Sequence, residues 1–118
     1  MSYDIDYVDP VTSQVFELGE PHRMEGGTYV LGGTPETTLN VTYNYGKIFR
    51  KLYGDKGIRF LYGKSGAETT PHLLEGISLL GNDVSDDYWE ASEGNVKKVL
   101  HQLLAFAQLR PDGVWEGD

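Results

Sequence analysis

The spacing of apolar residues changes once along this 118-residue chain, near Asn44, and that change limits the folds it can adopt. Before Asn44, apolar and polar residues alternate, which is the pattern of half-exposed strands. After Asn44, apolar residues recur every three or four positions, which is the pattern of amphipathic helices. Strands followed by helices predict an α+β fold.

The first third of the chain predicts a small N-terminal antiparallel β-meander. In residues 3–8, Tyr3, Ile5 and Tyr7 share one face and two aspartates share the other. Asp9-Pro10 supplies a turn after this segment. Strands are predicted at residues 3–8, 14–18 (the hairpin partner of the first), 28–31 and 38–43.

About three helices should follow. The first spans residues 45–53 and ends at Gly54. The second covers residues 67–80, with two alternative starts: a capping box at Ser65, or Thr70-Pro71. Residues 58–62 fit either a strand or a helical turn. The last helix starts after Ser92, and its apolar stripe consists of Val96, Val99, Leu100, Leu103 and Ala107. No linker interrupts the pattern, so residues 1–118 are predicted to form one domain.

Composition narrows the class of protein. The chain has no cysteine, which excludes disulfides and cysteine-ligated zinc. It has no apolar run of about 20 residues and no signal-peptide pattern, which predicts a cytoplasmic protein without a membrane segment. The net charge of −8 argues against binding of nucleic acid by the whole molecule.

Known catalytic and metal motifs are absent from the sequence. Gly63-Lys64-Ser65 resembles the end of a phosphate-binding loop, but the position where that motif needs its first glycine is Ile58. The same glycines could still expose backbone N–H groups to an anion, although helix capping explains them better. The three histidines lack metal-ligand spacing. Residues 83–90, the acidic loop, do not follow a calcium-loop pattern. We therefore expect no enzyme activity, no cofactor and no metal.

The basic residues cluster in residues 43–64, the basic–aromatic segment. This segment holds six of the ten basic residues and one acid, so it carries +5 and the rest of the chain −13. Six aromatic residues lie among these cations, and such a mixture suits phosphates and stacked rings. The alternative is that the aromatics are core and the cations are solvated. The predicted ligand- or partner-binding residues are Lys47, Arg50, Lys51, Lys56, Arg59, Lys64, Tyr62 and, from the acidic loop, Trp89.

Several strings point to a family. They are Thr42-Tyr43-Asn44-Tyr45, Lys56-Gly57-Ile58-Arg59, Tyr62-Gly63, Gly66-Ala67-Glu68, Asp87-Tyr88-Trp89, Glu93-Gly94-Asn95 and the final Arg110-Pro111-Asp112-Gly113-Val114-Trp115. Together they resemble a group of small accessory proteins encoded by bacteriophages, prophages and related mobile elements, over roughly residues 28–118. The resemblance transfers no catalytic or binding residue, because the motifs of the group carry no known chemistry.

The resemblance implies a context, a viral protein acting inside a bacterial host cell. Proteins of that kind often bind and inhibit a host factor, including anti-phage defence factors, and we expect this counter-defence function first. The alternatives are sequestration of a nucleotide-type or other phosphate-bearing ligand by the basic–aromatic segment, or a role as a virion or packaging component. The expected partner of the segment is a host protein, a phosphate-bearing small molecule or the acidic half of a second copy in a homo-oligomer.

Overall fold

The structure is a computed structural model that describes residues 2–22 and 34–118. Its strands are β1 (Ser2–Val8), β2 (Glu17–His22), β3 (Thr34–Glu36), β4 (Thr38–Thr42) and β5 (Val114–Gly117). Its helices are α1 (Gly46–Tyr53), α2 (Gly66–Leu79) and α3 (Glu93–Leu109), with 3₁₀-helices at Tyr43–Tyr45 and Gly57–Leu61. The predicted α+β fold, with antiparallel strands followed by three helices, is confirmed.

The first alternating segment forms the centre of the main sheet. β1 lies between β4 and β5 and pairs antiparallel with both. As the alternation predicts, Tyr3, Ile5 and Tyr7 are buried against the helices, whereas Asp4 is exposed and Asp6 is partly exposed. β5 was not predicted, because four residues between turns carry too little periodicity to mark a strand.

The prediction that residues 14–18 form a hairpin with β1 is wrong. Within residues 14–18 only Val15 bridges to β1, at Val8, and the chain then pairs β2 with β3 in a separate two-stranded sheet. The buried Thr37 accounts for this arrangement. Its hydroxyl donates to the main-chain oxygen of Tyr7 at 2.7 Å and accepts from the N–H of Phe16 at 3.0 Å. The predicted strand at residues 28–31 lies outside the described residues.

The helices follow the predicted caps and stripes closely. Ser65 and Glu68 form the capping box of α2, so Pro71 lies inside the helix and the alternative start at Thr70-Pro71 is wrong. Residues 58–62 turn out to be mostly 3₁₀-helix. The whole predicted stripe of α3 is buried, and α3 packs on α2. On α2, Leu73 is fully buried, whereas the neighbouring Leu74 is half exposed.

The core joins the sheet to the helices through large aromatic side chains. Trp115 on β5 is fully buried, and its ring lies 4.2 Å from the ring of Tyr7, centroid to centroid. Gly66, the first residue of α2, has no side chain, and this allows the Tyr7 hydroxyl to pass and donate to the main-chain oxygen of Arg110. None of the helices in the described part of the chain combines the length and apolar character needed to cross a membrane.

Candidate partner-binding surface

Two arginines of the basic–aromatic segment lie close to Tyr3. Arg50 comes from α1 and Arg59 from the Gly57–Leu61 3₁₀-helix. The turn between these helices depends on Gly54 and Gly57, which have φ angles of 91° and 56°, values that favour glycine. The turn brings the 3₁₀-helix back along α1, so that the Cα of Gly57 faces the aliphatic stem of Arg50.

Two tyrosine rings and the main-chain oxygen of the last residue, Asp118, hold the Arg59 guanidinium. Its Cζ lies 4.8 Å from the ring centroid of Tyr3 and 5.6 Å from that of Tyr43, within the range of cation–π contacts. Its Nε donates to the main-chain oxygen of Asp118 at 2.8 Å, and one Nη donates to the Tyr43 hydroxyl at 3.4 Å. A guanidinium has five N–H donors, so three remain for another molecule.

Arg50 approaches the same place from α1. A Cβ built on Gly46 would lie 2.9 Å from an Nη of Arg50 and 2.8 Å from the Tyr3 hydroxyl, so both groups come up to the bare Cα of Gly46. The lack of a side chain at Gly46 therefore lets Arg50 and Tyr3 converge. We call Arg50, Arg59, Tyr3 and Tyr43 the arginine–tyrosine cluster.

The six cations of the basic–aromatic segment are all exposed. Among the described residues, none of them forms an ion pair with an aspartate or glutamate side chain, and the side-chain ion pairs found there belong to Arg110, with Asp9 and Asp112. Lys64 donates to the main-chain oxygen of Phe60 at 2.8 Å, which is a neutral acceptor. In a chain with almost twice as many acids as bases, these cations remain available to an external anion.

Tyr62 differs from the prediction, because its hydroxyl is buried. Within the described residues that hydroxyl has no hydrogen-bond partner, and it lies against the Cα of Gly117. Burial, with a smaller effect of Asp118, raises the pKa of Tyr62 from 10.0 to about 12. The group is therefore neutral at physiological pH, and its covered hydroxyl cannot donate to a ligand at the surface.

The start of α2 does not offer a free anion site. Gly66 and Ala67 donate their N–H groups to the main-chain oxygens of Gly113 and Pro111, at 2.9 and 3.0 Å. The N–H of Glu68 is bonded to the Ser65 hydroxyl. The backbone donors that could bind an anion at a helix N-terminus are thus already used.

Trp89 lies apart from the arginine–tyrosine cluster, on the acidic loop. The buried Asn95 holds that loop: its Oδ1 accepts from the N–H of Ser85 at 3.2 Å, and its Nδ2 donates to the main-chain oxygens of Asp87 and Glu90. The side chain of Asn44 donates to the main-chain oxygen of Trp89 at 2.9 Å. The Trp89 side chain is 40% exposed and stacks on Tyr88, so it is presented to solvent from a fixed backbone.

The predicted site residues therefore occupy three places. Arg50 and Arg59 lie together in the cluster, Lys47 is exposed one helical turn before Arg50 on α1, and Lys51 is exposed at the next position after Arg50. Lys56 and Lys64 are exposed elsewhere on the segment, and Trp89 is on the acidic loop. Sequence reasoning missed Tyr3 and Gly46, because Tyr3 carries only a strand signal and its position beside α1 depends on tertiary packing.

No group of three or more metal-ligating side chains is arranged to hold a metal ion in the parts of the chain that the structure describes. His72 and His101 are both exposed, and the ring of His72 contacts the ring of Phe60 edge-on. No protein-family model matches the chain, and neither a curated protein nor a solved structure matches it.

Proposed function

We propose that this protein is a non-catalytic binding protein whose arginine–tyrosine cluster holds an acidic surface of a partner protein. The observation that carries the proposal is that Arg50 and Arg59 both lie close to Tyr3, and that neither guanidinium forms an ion pair with an aspartate or glutamate side chain among the described residues. Arginine and tyrosine are enriched at the energetic centres of protein interfaces, where arginine binds carboxylates in pairs of hydrogen bonds.

A protein partner agrees better with this surface than a nucleotide does. Small-molecule sites are usually concave and bury most of the ligand, whereas both guanidinium groups here belong to exposed residues. Tyr62, which we expected to serve a stacked ligand, is partly buried and its hydroxyl is covered. The resemblance to phage accessory proteins supports a host protein as the partner, and inhibition of that protein as the purpose.

The charge distribution supports an electrostatically guided encounter. The basic–aromatic segment is the positive part of a negative molecule, so an acidic partner is attracted to this region and repelled by the remainder. Attraction between exposed charges is screened by salt over about 10 Å at 0.1 M ionic strength. Binding through the cluster should therefore weaken as salt is added.

The test compares three immobilised proteins in pull-downs from bacterial lysate. Lys47→Gln combined with Arg50→Gln removes one positive charge of the cluster and one beside it. Lys98→Glu, on the exposed side of α3, changes the net charge by the same amount and is the control. We expect the wild type and the control to retain the same proteins in a salt-sensitive manner, and the double variant to lose them. Equal retention by all three would reject the cluster as the binding surface.

A thermal-stability screen separates the protein partner from the phosphate-bearing ligand. A ligand that binds only the folded state raises stability by an amount set by its concentration relative to its dissociation constant. We expect no member of a nucleotide panel to raise the Tm of the wild type. A rise that Arg50→Gln abolishes would overturn the proposal in favour of the ligand.

A further inference from the structure

A small apolar groove lies on the other side of α1, between that helix and the end of α2. It has a volume of about 220 Å³ and is lined by Ile48, Leu52, Leu79 and Leu80, with Lys51 and Glu93 at its edges. Leu79 is 63% exposed. Small-molecule sites are usually about 300–1,000 Å³, so this groove is of a size for one large side chain.

The two charged residues at the edges of the groove are not equivalent. Glu93 Oε1 already accepts the N–H of Gly81 at 2.8 Å. Lys51 has no carboxylate within 4 Å in residues 2–22 and 34–118. The groove therefore fits a side chain that is apolar itself and has an acidic neighbour.

The acidic loop presents that combination. Trp89 is 40% exposed, and Asp86, three positions before it, is exposed and makes no ion pair within the described part of the chain. Asn95 and Asn44 fix the loop backbone, so little conformational entropy is lost when the loop binds. Tryptophan in particular contributes strongly to binding when it enters a pocket.

We propose that the groove receives Trp89 of the partner subunit in a symmetric dimer of this chain. The acidic loop contacts Asn44, just before the N-terminal end of α1, whereas the groove lies further along the helix, between Ile48 and Leu52. A two-fold axis that sets the α1 helices of the two copies antiparallel places the acidic loop of each copy over the groove of its partner. Both copies then use the same surface, which consists of the acidic loop and the groove. Lys51 meets the acidic loop of the partner subunit in that arrangement.

This contact uses the side of α1 that carries Ile48 and Leu52, away from Arg50 and the arginine–tyrosine cluster. It does not depend on the proposed function, and either can fail without the other. Variants of Trp89 and Leu79 test the dimer, whereas variants of Lys47 and Arg50 test the acidic-partner surface.

Analytical ultracentrifugation of the full chain, from low micromolar to the highest soluble concentration, tests the dimer directly. We expect a reversible monomer–dimer equilibrium in the wild type. Trp89→Ala and Leu79→Ser should each raise the dimer Kd about thirtyfold or more, because they remove the central apolar contact. Leu109→Ser, at another exposed leucine, is the matched control and should leave the Kd unchanged.

A charge exchange gives a second and independent readout. Lys51→Glu and Asp86→Lys should each raise the dimer Kd about fivefold, as expected for an exposed ion pair, and the two changes together should restore it. A wild type that stays monomeric at every concentration overturns the proposal. So does a dimer that neither Trp89→Ala nor Leu79→Ser weakens in variants whose circular dichroism shows them folded.

Discussion

The hydrogen bond between Trp115 and Thr69 ties the last strand to α2, and it allows a quantitative test of the fold. Both residues are fully buried, and Trp115 Nε1 donates to Thr69 Oγ1 at 2.8 Å across 46 positions of sequence. The Thr69 hydroxyl in turn donates to the main-chain oxygen of Ser65 at 3.0 Å. The substitution Thr69→Val keeps the shape of the side chain and removes the acceptor.

The expected cost follows from the burial of the indole N–H. A buried donor left without an acceptor costs about 1–3 kcal/mol. An unfolding entropy of about 2.1 cal/mol/K per residue, applied to 118 residues, gives about 0.25 kcal/mol/K. A loss of about 2 kcal/mol should therefore lower the Tm by about 8 °C.

Differential scanning calorimetry of a double-mutant cycle tests this reasoning. Trp115→Phe removes the donor, so the combination with Thr69→Val should cost about 1–2 kcal/mol less than the sum of the single changes. Thr69→Ser keeps the hydroxyl and should lower the Tm less than Thr69→Val does. The reasoning fails if the cycle is additive, or if valine is tolerated as well as serine at position 69.

Three further predictions concern the core and the buried tyrosines. Leu103→Ala on α3 should lower the free energy of unfolding in urea by about 2–5 kcal/mol, and a smaller loss would contradict its complete burial. A neutral quencher should reach Trp89 but not Trp115, so the fluorescence of Trp89→Phe should resist quenching. Quenching of the folded variant would contradict the burial of Trp115 on β5. Burial raises the pKa values of Tyr7 and Tyr62 from 10.0 to about 12, so the folded protein keeps protons that the unfolded chain loses between these values. The contribution of these tyrosines to the free energy of unfolding should be fully present below pH 10 and decrease as the pH rises towards 12. In alkaline denaturation, Tyr62→Phe should make this decrease smaller without lowering stability at pH 7.

Local interactions explain why the sequence predicts the helices well. The capping residues Ser65 and Ser92 bond to N–H groups three positions later, so their partners are visible in the sequence. The buried stripe of α3 repeats every three or four residues for the same reason, because a helix brings those positions onto one face. The exposure of Lys47, Arg50 and Lys51 opposite Phe49 was predictable from the same period.

The sequence could not show which distant segments would meet. β1 pairs with β4 and β5 rather than with residues 14–18, because Thr37 fixes the start of β4 beside Tyr7. Only that sheet places Tyr3 next to α1, and so only the tertiary structure joins Arg50 and Arg59 into a candidate site. Periodicity and caps act between residues a few positions apart, whereas strand pairing and aromatic packing depend on contacts across most of the chain, which a local pattern does not encode.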